Sequence, residues 1–114
     1  MSRGDVMMID LPVPAGRPRR EQHGRRPAIA VQSDDSTGLP TVMVVPLTSN
    51  LDALRYRHTI RVEPSARNGL SIPSVLLTFQ LRAIDRIALL DTIGRLEDDV
   101  LRSLNRELLL MLNL

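Results

Sequence analysis

Short apolar runs separated by polar breaks dominate the chain up to about residue 84. A run from Val6 to Leu11 is stopped by Pro12, which cannot donate a hydrogen bond to a neighbouring strand. "PAIAVQ" (Pro27 to Gln32) predicts a second strand. "TVMVVPLT" (Thr41 to Thr48) predicts a third, apolar enough to be central. "RYRHTIRVEP" alternates with period two, Tyr56, His58, Ile60 and Val62 against Arg57, Thr59 and Arg61, as a half-exposed strand should. "PSVLLTFQLRAI" adds one or two more. Between these runs, "PVPAGRPRREQHG" carries three prolines and two glycines and excludes regular structure. "SDDSTGLP" reads as a turn cluster, and the Asn-Gly pair in "RNGL" favours a tight turn with positive φ.

From Asp85 the period changes. Asp85 is suited to cap a short helix through about Leu90, and "TIGRL" reads as a strand or connector. In "EDDVLRSLNRELLLMLNL", Leu101, Leu104, Leu108, Met111 and Leu112 fall at helical spacing, with acids in the first turn where the helix dipole favours them. The expectation is a mainly β, α+β fold in one domain over residues 1–114. Five or six short strands make a small β-barrel, with a short helix and a C-terminal α-helix added.

Composition narrows this further. Apolar residues make up 43% of the 114 residues, enough for a core, but Phe79 and Tyr56 are the only aromatics, so that core is aliphatic and aromatic platforms for stacking bases are scarce. With no cysteine, a disulfide framework and a cysteine zinc site are both excluded. No run approaches the roughly 20 apolar residues that span a bilayer, and the N-terminus lacks a signal-peptide core, so the chain reads as cytoplasmic with no membrane partner. The net charge is only +2, but five arginines lie between Arg17 and Arg26 against one glutamate, and the chain has no lysine. Arginine's planar fork matches phosphate in a way an ammonium cannot.

The segment "EQHGRRPAIAV", Glu21 to Val31, sets that cluster against the mouth of a strand. Together with "RGDV" at the N-terminus, "VVPLTSN" in the third strand, "GL…SV", "QLR" and "IGRL" before the last helix, it resembles the MazF/PemK toxin endoribonucleases of type II toxin–antitoxin systems. The resemblance covers essentially the whole chain in the family's order. It implies an SH3-like barrel of CcdB/MazF type and a homodimer that cleaves single-stranded mRNA sequence-selectively, with no metal or other cofactor, to inhibit translation and growth. It also implies a cognate MazE-like antitoxin, with DNA reached only through that antitoxin. By position, Arg26 matches the family's catalytic arginine and Thr48 its catalytic hydroxyl residue. Glu21 and Gln22 match the "EQ" of the first loop, and Gln80 and Arg82 a later acidic-Gln-aliphatic-Arg motif. Three departures stand out: the loop between Asp10 and Glu21 is longer, Met7 or Met8 replaces an aromatic of the first strand, and Phe79 replaces the acid of the later motif.

The chemistry suits these residues. Metal-free cleavage uses the RNA 2′-hydroxyl as nucleophile, so the site must accept its proton, balance charge on the phosphorane and protonate the leaving 5′-oxygen. Arg26 fits the charge-balancing role, because Pro27 restricts it to extended backbone angles and so fixes its direction. Thr48 can donate to a phosphate oxygen, with Ser49 as a second donor. Glu21 is the most reasonable proton acceptor by chemical type, although the sequence leaves the identity of the base open. Arg19, Arg20 and Arg25 (with Arg17) read as phosphate contacts that add affinity rather than sequence information. His23 reads as a solvated loop residue and His58 as structural. Two alternatives keep the same barrel without the chemistry: a CcdB-like toxin that binds a topoisomerase, and a degenerate toxin that only binds antitoxin.

Overall fold

Strands whose every side chain is apolar need cover on both faces, and the fold supplies it. The computed structural model describes residues 1–11, 24–33 and 38–114. Within them lie seven strands: β1 (Asp5–Leu11), β2 (Gly24–Ala30), β3 (Thr41–Thr48), β4 (Thr59–Val62), β5 (Ser74–Leu77), β6 (Arg82–Asp85) and β7 (Leu89–Arg95). One helix, α1 (Asp98–Leu112), follows. Every pairing is antiparallel, in the order β4-β5-β3-β2-β1-β7, with β6 on β3. The sheet curls without closing among the described residues.

Strand β3 meets three partners along its two edges. One edge takes β2 through Val44, Val45 and Pro46. The other takes β6 along Thr41 to Val44, then β5 at Leu47 and Thr48. Alternation along β1, β2 and β3 sends Val6, Ile29, Val45 and Leu47 to one side, where α1 covers them with Leu104 and its neighbours. Met7, Ile9, Ala28, Ala30, Val42 and Val44 point to the other side and pack on Ile84, Ala88 and Leu89. The continuous apolar reading of "AIAV" and "VMVV" thus reflects two covered faces.

Several expectations shift at the edges of elements. β3 has the bounds its pattern predicts, whereas β2 begins earlier, at Gly24, and so includes Arg25 and Arg26. The short helix expected from Asp85 to about Leu90 contracts to a 3-10 turn over Arg86–Ala88. Asp85 does cap it, accepting from the Ile87 amide. Thr92 to Arg95 of "TIGRL" belong to β7, and Leu96 follows it. The alternation from Tyr56 onward overstates its strand. A 3-10 helix occupies Leu51–Arg55, His58 takes φ +60, and extended pairing starts only at Thr59. The left-handed residue breaks the period, and His58 instead directs Nδ1 to Glu107 Oε1 of α1 at 2.9 Å. "RGD" is structural too: Asp5 accepts from the Ser2 amide and pairs with Arg95.

The turn at "RNGL" is more than a reversal. Asn68 is fully buried, and its amide uses every hydrogen-bonding position it has. Oδ1 accepts from the amides of Ser65 and Leu70; Nδ2 donates to the Glu63 carbonyl and to Glu97 Oε1. Gly69 at φ +73 lies so close to Ile93 that a Cβ would sit 2.1 Å from its carbonyl oxygen. Gly94 meets Asn68 in the same way, its Cβ position lying 2.4 Å from the Asn68 carbonyl. "RNGL" and "IGRL" are therefore two halves of one backbone contact, which clips the loop before β5 to the strand before α1. Glu97, at the N-cap position, turns its carboxylate toward this clip rather than toward its own helix amides.

The Ser65 hydroxyl, 2.6 Å from Glu97, holds that carboxyl below its ordinary pKa, with the Asn68 amide and the Arg67 charge acting in the same direction against burial. A depressed folded-state pKa contributes stability that is present above the unfolded-state value and lost as pH falls through the folded one. Glu97→Gln is expected to lower stability at neutral pH by less than the roughly 1.5–3 kcal/mol of a hydrogen bond to a buried charged group, because the carboxyl is partly in water. Thermal denaturation of both proteins across the acid range should show the gap closing as pH falls; a constant gap would mean that ionisation of Glu97 is not what it contributes.

Candidate active site

The register between β2 and β3 determines which residues meet at the end of the sheet. Ala28 pairs with Pro46, and continuing that register by two residues sets Arg26 opposite Thr48. The ladder stops before reaching them. Neither Pro27 nor Pro46 carries an amide hydrogen, so neither can extend the pairing, and β3 turns its other edge to β5 at Leu47 and Thr48. Among the described residues, β2 beyond Ala28 pairs with β1 alone, Arg26 opposite Ile9 and Arg25 opposite Asp10. The two strands splay, and a cavity of about 230 Å³ opens between Arg25, Arg26 and Pro27 on one side and Leu47, Thr48 and Ser49 on the other. Leu70, Ser71, Ile72 and Ser74 close it from the segment leading into β5.

Arg26 is half-buried, and burial pushes its guanidinium below the ordinary arginine value. It stays protonated, as arginine does in proteins, but it is less fully hydrated than a surface arginine, which strengthens its attraction for a phosphate. Thr48 is half-buried as well. Its Oγ1 accepts from the Asn50 amide at 3.2 Å, which leaves the hydroxyl proton available to donate. Asn50 in turn caps the 3-10 helix over Leu51–Arg55, its Oδ1 accepting from the Asp52 amide at 3.0 Å. Thr48 is thus held at the end of a strand by a capped turn.

A second cavity, of about 270 Å³, lies on the other side of Thr48 and is lined by Asn50, Asp52 and Gln80 among others. The predicted residues therefore separate. Arg25, Arg26, Thr48 and Ser49 share one cavity, Gln80 joins Thr48 in the next, and Arg82 lies on β6 in a different cavity with Asp10, Leu11 and Ile84. Glu21, Gln22, Arg19 and Arg20, with Arg17 and His23, fall outside the described residues. Sequence reasoning passed over Asn50 and the serines of "LSIPS". The hydroxyl density of "LSIPS" was the available signal, but only the fold brings that segment against Arg26.

A model of the PemK-like, MazF-like toxins of type II toxin–antitoxin systems matches residues 2–112. The chain belongs to this family. Endoribonuclease EndoA of Bacillus subtilis is 30% identical over 115 aligned positions, covering 100% of this chain and 96% of that one. Among solved structures, MazF of Deinococcus radiodurans superposes with a TM-score of 0.77 at 22% identity, covering 100% of this chain and 97% of its own. MazF in a MazE–MazF structure from the same organism gives 0.75 at 25% identity, with 100% and 96% covered. This MazF-like toxin shares their antiparallel sheet and terminal helix. Among its described residues no helix is long and apolar enough to cross a membrane.

The capped turn behind Thr48 can be probed directly. Asn50→Ala is expected to destabilise the toxin by about 0.5–2 kcal/mol, the usual cost of losing a cap. Chemical denaturation measures this, and an unchanged midpoint would show that the bond to Asp52 does not hold the turn.

Proposed function

We propose that this MazF-like toxin is an endoribonuclease that cuts single-stranded RNA at the cavity between β2 and β3. The observation that carries the reading is the end of the β2–β3 ladder at Ala28 and Pro46, with Arg26 and Thr48 lining the cavity beyond it. Family membership and the endoribonuclease named among its relatives support RNA as the substrate.

In this mechanism the RNA 2′-hydroxyl attacks the adjacent phosphorus, forming a 2′,3′-cyclic phosphate as the bond to the 5′-oxygen of the next nucleotide breaks, and that oxygen takes a proton from water to leave as a 5′-hydroxyl. Arg26 faces the phosphate and stabilises the charge that grows on its oxygens, an interaction stronger in the transition state than in the ground state. The Thr48 hydroxyl donates to a phosphate oxygen, with Ser49 as second donor. Glu21 accepts the 2′-hydroxyl proton, and Gln22, Gln80 and Arg82 contact RNA. Arg25, Arg19 and Arg20 track the backbone, so affinity falls as salt rises. A MazE-like antitoxin is the regulatory partner this reading implies, and the MazE–MazF pairing of a 25% identical neighbour supports it. A homodimer working in the cytoplasm completes the picture; the exposed Leu109, Leu110 and Leu112 of α1 suit such a subunit contact.

Incubation of a long RNA with the protein in EDTA tests the activity. Discrete cuts carrying cyclic-phosphate ends are expected from the wild type. Arg26→Ala and the isosteric Thr48→Val should each lose about 100-fold or more in rate, as when a transition-state donor is removed, while Thr48→Ser retains activity. Intact RNA in the wild-type lane overturns the reading, and so does equal cleavage by wild type and Arg26→Ala.

A further inference from the structure

The chain has one tyrosine, one phenylalanine and no tryptophan. In an aliphatic core, two large aromatic rings would ordinarily be the first side chains to be buried. Here neither is. Tyr56 is 49% exposed and Phe79 40% exposed, and they come from separate segments. Tyr56 follows the 3-10 helix at Leu51–Arg55, and Phe79 sits in the 3-10 turn Thr78–Gln80. The fold brings the rings together with centroids 5.5 Å apart and planes at 63°. Both line the cavity that borders Thr48.

We infer that Tyr56 and Phe79 form a stacking corner for one unpaired base of the RNA, beside the phosphate held at Thr48, and so help choose where the chain is cut. The inference rests on the endoribonuclease reading and names the substrate feature recognised in the neighbouring cavity.

The surroundings suit a nucleotide. Two rings meeting at an angle offer a planar base a ring face on one side and a ring edge on the other, both preferred aromatic geometries. Arg55 steadies the corner: its Nη2 donates to the Tyr56 hydroxyl at 2.9 Å, and its guanidinium lies 5.0 Å from the centre of that ring. Arg55 is exposed and carries the charge a backbone phosphate needs. Gln80 supplies an amide donor and acceptor, and Asp52 a carboxylate acceptor, for the edge of a base. An apolar peptide side chain would meet this polar rim less favourably than a base, whose edge is polar and whose face is not.

Tyr56, the only tyrosine in a chain without tryptophan, supplies the protein's intrinsic fluorescence. Cut sites would first be mapped on a long RNA. A 2′-O-methyl oligonucleotide bearing the strongest site, which cannot be cleaved, would then be titrated against the wild type, with emission corrected for absorption by the oligonucleotide. Saturable quenching is expected. Phe79→Leu should raise KM roughly 5- to 150-fold, the range for losing one stacked base, keep kcat, and relax the base preference at one position next to the cut. A merely structural role would lower the thermal midpoint without moving that preference. Emission unchanged at saturating oligonucleotide overturns the stacking corner and leaves the nuclease standing, as does a Phe79→Leu variant with wild-type KM and cut sites. RNA left intact by the wild type removes both. The wild-type titration decides the matter even where the variant does not fold.

Discussion

A strand has two edges, and β3 has three neighbours. That constraint organises the molecule. To pair with β2, β6 and β5, β3 gives one edge to β2 and shares the other between β6 and β5, and it parts from β2 before its own end. The prolines at 27 and 46 make the parting inexpensive, because no amide hydrogen is left unpaired at either position. The gap that opens is the candidate site. Its two principal side chains, Arg26 and Thr48, come from the two strands just beyond the last registered pair, Ala28 with Pro46, and line the same cavity.

A second constraint keeps the gap's rim in place. The segment that closes the cavity, Leu70 to Ser74, follows directly on the turn in which Asn68 satisfies all its hydrogen-bonding capacity. A buried amide with every partner present is rigid, since any movement strands a polar group away from water. Two glycines allow the backbones of this turn and of β7 to touch. Through Glu97 the same turn is tied to the start of α1. Core, helix and cavity rim are therefore mechanically one unit, and the motifs around Asn68 and Gly94 describe that unit rather than the chemistry.

The site was legible in part. Arg26 and Thr48 were marked by the family resemblance, with the proline after Arg26 as the local reason for its fixed direction. Asn50, Ser71 and Ser74 were not, because their relation to the site depends on chain reversals that period and composition do not record. Composition records that aromatics are scarce but not where they lie, and the fold sets both rings in one exposed corner. His58 misled, its left-handed backbone ending an alternation that looked continuous.

Local pattern alone determined the strand identities of β1 to β3, the terminal helix, the aliphatic nature of the core and the segregation of arginine before β2. These depend on side-chain period and proline placement, which act within a few residues. Tertiary structure alone decided which strands meet, where β2 and β3 separate, and that Gln80 joins Thr48 while Arg82 lines another cavity. Those outcomes follow from long-range register and from close backbone contact at Gly69 and Gly94, quantities set by pairs of residues far apart in the chain.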